Sequence, residues 1–429
     1  MTTTAVTKFA APSVPKPGRV PAGGLVWAAA GYDLMLATMI IVAGSQGIHR
    51  FLPPLLLWAL IYAMVSLKYA TQLRTLFDVL RQNIAIMAFP LVAALSAVWS
   101  VAPGASAYAA MQLIVTYLAA MWIGWRYAPR DIALIVLLAL SPLTALSLVN
   151  WATGMFGEVY SYTGGLLGIF SNKNTLGRMS LLLGIVTIAL LVGRKSSIPR
   201  LVFLGGVFAM AALALFLSKS ATSAIVMLAS AGFFVLLTQH RYPAALRLAI
   251  FGLGVIAVMT TLISMAFGGF DPIAEILNAF GKSSNLTGRT TLWDIATHQI
   301  AQTPWLGVGF DAYWDTGAFL AVDHVQRAYG EGLISFHNFI LDIWVTLGLP
   351  GLIGIAITLL SILLIFVRYY IISPAVWPAM TLTLFVAGVG VAFFNPLLHA
   401  QHGNLIVIFV ALAVSSRIEI ARLSAQTRT

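Results

Sequence analysis

Polar and apolar positions in this chain are grouped rather than alternating. Apolar runs close to the roughly 20 residues that a helix needs to cross a hydrocarbon layer recur along the whole sequence. They predict twelve helical spans, at about 25–44, 51–69, 84–100, 106–125, 131–150, 174–192, 201–217, 220–238, 245–267, 337–367, 374–394 and 404–416. The strand-length alternation of a membrane β-barrel is missing. The expected fold class is therefore an all-α polytopic membrane protein. The apolar run after residue 24 exceeds a signal-peptide core and is followed by no convincing cleavage site, so it reads as a retained first span.

Composition sharpens this. Of the 429 residues, 60% are hydrophobic and 9% charged, where a soluble domain carries about 25% charged residues. Too little chain lies outside the spans for a large soluble catalytic domain. The 24 Lys and Arg against 13 Asp and Glu leave a net charge of +11, which in a soluble protein would point to nucleic acid. Here the bias of cytoplasmic loops towards Lys and Arg accounts for most of the surplus, and no nucleic-acid partner is expected. Alternate loops carry the basic residues: Lys68, Arg74 and Arg81, Arg126 and Arg130, Arg241 and Arg247, Arg368, and Arg417 and Arg422 all fall on one side. That side reads as cytoplasm, with both termini inside. Zero cysteines exclude disulfides, thiolate catalysis and Cys-zinc sites.

The chain thus divides into a tail (1–24), nine spans (25–267), a large outer loop (268–336), three spans (337–416) and a second tail (417–429). Seven basic residues oppose the inside bias: Arg50, Lys173, Arg178, Lys219, Lys282, Arg289 and Arg327. The long loop also holds most of the acids and many aromatics, so function is expected at the outer face. No internal repeat stands out.

Three short runs carry the candidate chemistry. GIFSNKNTLGR, residues 168–178, enters the sixth span through Asn172, Lys173 and Asn174, with Arg178 one turn below. Free N–H groups at a helix start, joined by two cations, make an anion site, although either asparagine also suits a simple cap. LSKSATS, residues 217–223, puts Lys219 at the tip of a tight turn between two spans. GRTTLWDIATHQI, residues 288–300, spaces Leu292, Ile295, Ala296 and Ile300 as one face of a helix. Arg289 falls in its first turn, where a cation opposes the helix dipole and calls for an acid or a bound anion.

Downstream, PWLGVGFDAYW (304–314) sets Gly307 and Gly309 in a turn among Trp305, Tyr313 and Trp314, whose rings can stack on sugars or pack the loop onto the bundle. SFHNFILDIWVTLGLPG (335–351) starts a helix near His337 and breaks it around Gly348 and Pro350. Such a break needs protein or water to satisfy the freed backbone. His337, at a helix start among cations, is expected to be the neutral imidazole that accepts a proton. Asp342 is a candidate partner for one of the basic residues. His399 and His402 lack a third ligand, so no metal is expected.

Taken in order, FSNKNTLGR, the SKS turn, GRTTLW with PWLGVG, and HNFILDIWVTLGLPG resemble the O-antigen ligase and Wzy-type polymerase superfamily, most nearly the ExoQ-like exopolysaccharide polymerases, over about residues 84–415. The resemblance implies a GT-C-like architecture and a metal-independent, cofactor-free, inverting glycosyltransferase of the bacterial inner membrane. Its donor would be an undecaprenyl-diphosphate-linked glycan at the periplasmic face, its acceptor a second glycan, and a chain-length regulator a possible partner. It implies Arg289 and His337 as catalytic, with Asn172, Lys173, Asn174, Arg178 and Lys219 around the diphosphate. Trp305, Tyr313, Trp314 and Asn338 would meet the acceptor sugar. Many members carry arginine where this chain has Lys219, which loses the two-point grip on phosphate and favours a polymerase over a ligase. A ligase acting on lipid A core remains open, and a transporter or flippase is the rival of another class.

Overall fold

The computed structural model describes residues 27–162, 164–193, 197–267, 289–315, 335–393 and 398–426. The predicted runs are helical, in the order α1 (Trp27–Gly44), α2 (Pro54–Thr71), α3 (Leu73–Gln82), α4 (Ala88–Leu95), α5 (Pro103–Arg126), α6 (Pro129–Thr153), α7 (Lys173–Val192), α8 (Ile198–Ser218), α9 (Ala221–Thr238) and α10 (Ala244–Phe267). They continue with α11 (Arg289–Gln302), α12 (Ala312–Asp315), α13 (Phe339–Ile372), α14 (Val376–Ala392) and α15 (Asn404–Gln426). Among the described residues eight are long and apolar enough to cross a membrane, or nine if the bent pair, α3 with the segment 84–98, is one span, against the twelve expected; three further apolar helices are shorter. The chain is a multi-pass membrane protein. The bend of 81° lays α3 across its own span. That short helix buries Leu76 and Val79 while exposing Leu73 and Phe77.

Two helices form the centre. The apolar stretch of α7 is 83% buried and that of α15 78%, against 22% for α2 and α9. Apolar contact alone does not drive association in lipid, so close approach at small residues matters. Gly124 of α5 supplies it, since a Cβ there would lie 2.8 Å from Val414 and closer still to the Ala411 carbonyl of α15. At one end of the bundle α1, α2 and α5 meet at Asp33, which pairs with Lys68 and, at 2.8 Å, with Arg126 Nε. The acid is thus neutralised in place.

The opposite end carries the starts of α7, α13 and α15. Gly44, ending α1, abuts the His402 carbonyl just before α15. Residues 154–162 and 164–172 form a small hairpin there, bridged between Tyr160 and Leu166 and tied to α8 by Leu166 N–H donating to Leu217 O at 2.9 Å. Arg50, one of the cations opposing the inside bias, donates to Gly168 O of this hairpin and so has a structural task.

Candidate functional site

Asn172 caps α7: its Oδ1 accepts from Asn174 N–H at 2.7 Å. This fixes Lys173 as the first helical residue, beside the hairpin tip. A Cβ on Gly165 would lie 2.6 Å from Lys173 Cδ, and one on Gly164 would lie 3.5 Å from Lys219 Nζ. The two lysines therefore flank one glycine pair, and among the described residues no acid pairs with either. The Gly-Gly dipeptide is the component sequence reasoning overlooked, although it carries the usual signal of a tight turn.

Lys219 ends α8 in the left-handed region, at φ 51°. This costs an L-residue about 1–2 kcal/mol and is ordinarily left to glycine. The neighbouring serines build the turn: Ser218 Oγ donates to Leu215 O, Ser220 N–H donates to Ser218 Oγ, and Ser220 Oγ donates to Ser223 Oγ. Gly177 of α7 packs on Ser220, with room for no side chain. Arg178 follows directly, 6% exposed, with its Nε buried and without a hydrogen-bond partner. Next to it, Met179 Sδ accepts from Asn404 Nδ2 at 3.0 Å, joining α7 to the start of α15.

The second half of the site is built around a broken helix. Gly348 interrupts α13 at φ 60°, ψ −153°. The break is filled by the turn at residues 305–309. Val308 N–H donates to Val345 O, Gly309 N–H to Thr346 O at 2.8 Å, and Leu349 N–H to Trp305 O at 3.1 Å. Protein, rather than water, thus satisfies the freed backbone. Trp305 remains 71% exposed, whereas Tyr313 is 1% exposed and packs with Trp314 against Phe336, centroids 5.2 and 4.9 Å away. Of the three aromatics expected to meet a sugar, only Trp305 presents a widely open ring.

Asn338 caps α13, its Oδ1 accepting from Ile340 and Leu341 N–H. Its Nδ2 is buried without a partner. His337, just outside the helix, sits in the left-handed region at φ 52°. The cause is upstream: Phe336, fully buried, is held from both sides. Its N–H donates to Asp342 Oδ1 at 2.8 Å and its carbonyl accepts from Trp293 Nε1 at 3.0 Å. Asp342 does not pair with a basic residue among those described; its Oδ1 takes this backbone N–H, and its Oδ2 is buried without a hydrogen-bond partner.

Trp293 comes from α11, where Leu292 and Ala296 are also buried and His298 is exposed. Arg289 opens this helix, one turn before Trp293; its side chain, like Lys282, Arg327 and most of the loop 268–336, lies outside the described residues. Between the two halves, Gln401 Nε2 donates to Asp311 Oδ2 at 2.6 Å. His402 stacks on Trp58 at 4.0 Å and bonds Tyr62. Burial lowers the His399 imidazole to about 4, and burial with nearby His49 lowers that of His402 to about 4. Among the described residues no group of three metal-binding side chains occurs.

Against known proteins, residues 206–356 match the family described as O-antigen ligase. That stretch includes the Lys219 turn, α11, the 305–309 turn and the broken helix, and leaves out Lys173 and Arg178. Over 293 residues the chain is 30% identical to the exopolysaccharide production protein ExoQ of Rhizobium meliloti (strain 1021), a match covering 64% of this chain and 63% of that protein.

Proposed function

The two comparisons support an O-antigen ligase/Wzy-type family, and from that premise we propose that the chain is an inner-membrane polysaccharide polymerase. It takes a glycan from undecaprenyl diphosphate at the periplasmic face, both termini being cytoplasmic. The observation that carries this reading is the convergence of Lys173 and Lys219 on the Gly164–Gly165 turn at a capped helix start, with Arg178 buried one turn below. Cations so arranged, with Arg289, stabilise the charge that develops on a departing diphosphate. The acceptor hydroxyl oxygen attacks the anomeric carbon and the carbon–oxygen bond to diphosphate breaks. The hydroxyl proton passes to His337, whose backbone is pinned through Phe336. A single displacement inverts the anomeric centre, and four cations supply the electrostatic help without a metal. Trp305 is the exposed platform for the acceptor sugar.

A transporter would need a coupling acid near the midplane. Asp33, the acid in an early span, is consumed by Lys68 and Arg126, which favours the enzyme. The test is incubation of the purified protein with lipid-linked repeat units, reading glycan length per lipid. Longer chains with release of free polyprenyl diphosphate are expected from the unmutated protein and not from Arg289→Ala. Lengthening that requires a lipid A core acceptor would make it a ligase, and no transfer to either acceptor would refute the enzyme.

A further inference from the structure

At the end of the bundle away from the lysine cluster, a cavity of about 340 Å³ opens between α13 and α15. Its lining is Ser361, Leu364, Ile365, Arg368, Arg417 and Ile420. Two arginines thus share one concave space, and no acid among the described residues lines it. Arg417 is held in place by donating to the Gln82 carbonyl at the end of α3, so its guanidinium is oriented before any ligand arrives. Arg368 is exposed on the other wall. Two like charges lining one space repel, and an anion between them relieves that repulsion.

The setting identifies the anion. The amphipathic α3, bent 81° from its span, ends at the cavity rim with Leu73 and Phe77 exposed and Arg74, Asp78 and Arg81 on its polar side, the pattern of a helix lying in a membrane surface. The cavity therefore sits at headgroup level. Its floor is apolar: Leu364 is 58% exposed and continuous with the lipid-facing Leu360 and Ile371 of α13. A free phosphate ion has no use for such a floor, whereas a phospholipid sets its phosphate between the arginines and its first acyl carbons on Leu364 and Ile420.

We propose that this cavity binds the phosphate headgroup of an anionic phospholipid from the leaflet around it. The experiment is native mass spectrometry of the full chain, released from mixed micelles of phosphatidylglycerol and phosphatidylcholine. Retention of phosphatidylglycerol over phosphatidylcholine is expected, falling about fivefold for Arg368→Gln and further for the double variant with Arg417→Gln. Arg368→Gln keeps the test valid should the Arg417 variant fail to fold, because Arg368 is exposed. Leu364→Trp, which fills the floor without changing charge, should lower retention as well. Arg241→Gln, removing a cation from another loop at the same end, should not. Equal retention by the unmutated protein and Arg368→Gln would overturn the proposal, as would an equal loss in Arg241→Gln. Displacement of the lipid by millimolar inorganic phosphate would also overturn it, by assigning the cavity to a free anion.

Discussion

Replacing Gly348 by alanine tests whether the break in α13 and the turn that fills it act as one unit. At φ 60°, ψ −153° the backbone lies where L-residues are strained, at a cost of about 1–3 kcal/mol. The new methyl would also lie 2.6 Å from Leu306 N and closer to the Trp305 carbonyl, so the turn must retreat. Retreat strains the Leu349–Trp305 bond first, then the Val308 and Gly309 bonds to Val345 and Thr346, each worth about 1 kcal/mol. With all three bonds lost the sum is about 4–6 kcal/mol. The assay is thermal unfolding of purified protein in detergent, with proteolysis of the 304–315 segment as a local readout. Gly205→Ala is the matched control, because nothing lies within 4 Å of its added methyl; it should be neutral or slightly stabilising. If Gly348→Ala melts with Gly205→Ala and its 304–315 segment stays protected, the interlock does not exist as described.

Lys219→Gly should stabilise the α8–α9 turn by about 1 kcal/mol, since glycine accepts φ 51° freely, while lowering turnover by about 10²-fold through loss of one charge at the leaving group. Stability by denaturation and rate by product release must move in opposite directions. Trp293→Phe removes the bond to Phe336 O and keeps most of the packing, so stability should fall by about 1 kcal/mol. Turnover should fall with it, with KM for donor little changed. Acid should weaken the fold. His399 and His402 are held near 4 by burial, below the ordinary histidine value of about 6.5, so the unfolded chain takes up their protons first. Stability is full above about pH 6.5 and falls as pH drops towards 4, by up to about 1.4 kcal/mol per pH unit for each histidine. Unfolding followed from pH 8 to 4.5 checks this, and His402→Gln should flatten the slope.

The spans were legible because lipid offers no partner to backbone groups, so run length alone nearly specifies a helix. The break at Gly348 was legible for a related reason, a Gly-Leu-Pro run inside an apolar stretch. Its complement at Gly307–Gly309 was visible only as a turn, because a pairing some forty residues apart is tertiary. Left-handed backbone at Lys219 and His337 left no mark, since neither residue type advertises it. The bond from Phe336 N–H to Asp342 was hidden too: sequence displays a carboxyl group among cations but not a backbone N–H brought to it by the fold. Tyr313 shows that an aromatic-rich outer loop supplies its own interior before it supplies a sugar platform.

The unequal burial of the helices sets an order of encounter. α8 and α9, 33% and 22% buried, border lipid, while α7 is 83% buried. The exposed Lys219 thus stands at the rim, the partly buried Lys173 inward of it, and Arg178 deepest. On the proposed function, a lipid-linked donor entering from the bilayer would meet exposed charge first and buried charge last. Transfer from rim to centre would then be a graded trade of water for protein contacts, and the proposed diphosphate product would leave by the same slope as its negative charge drew water back.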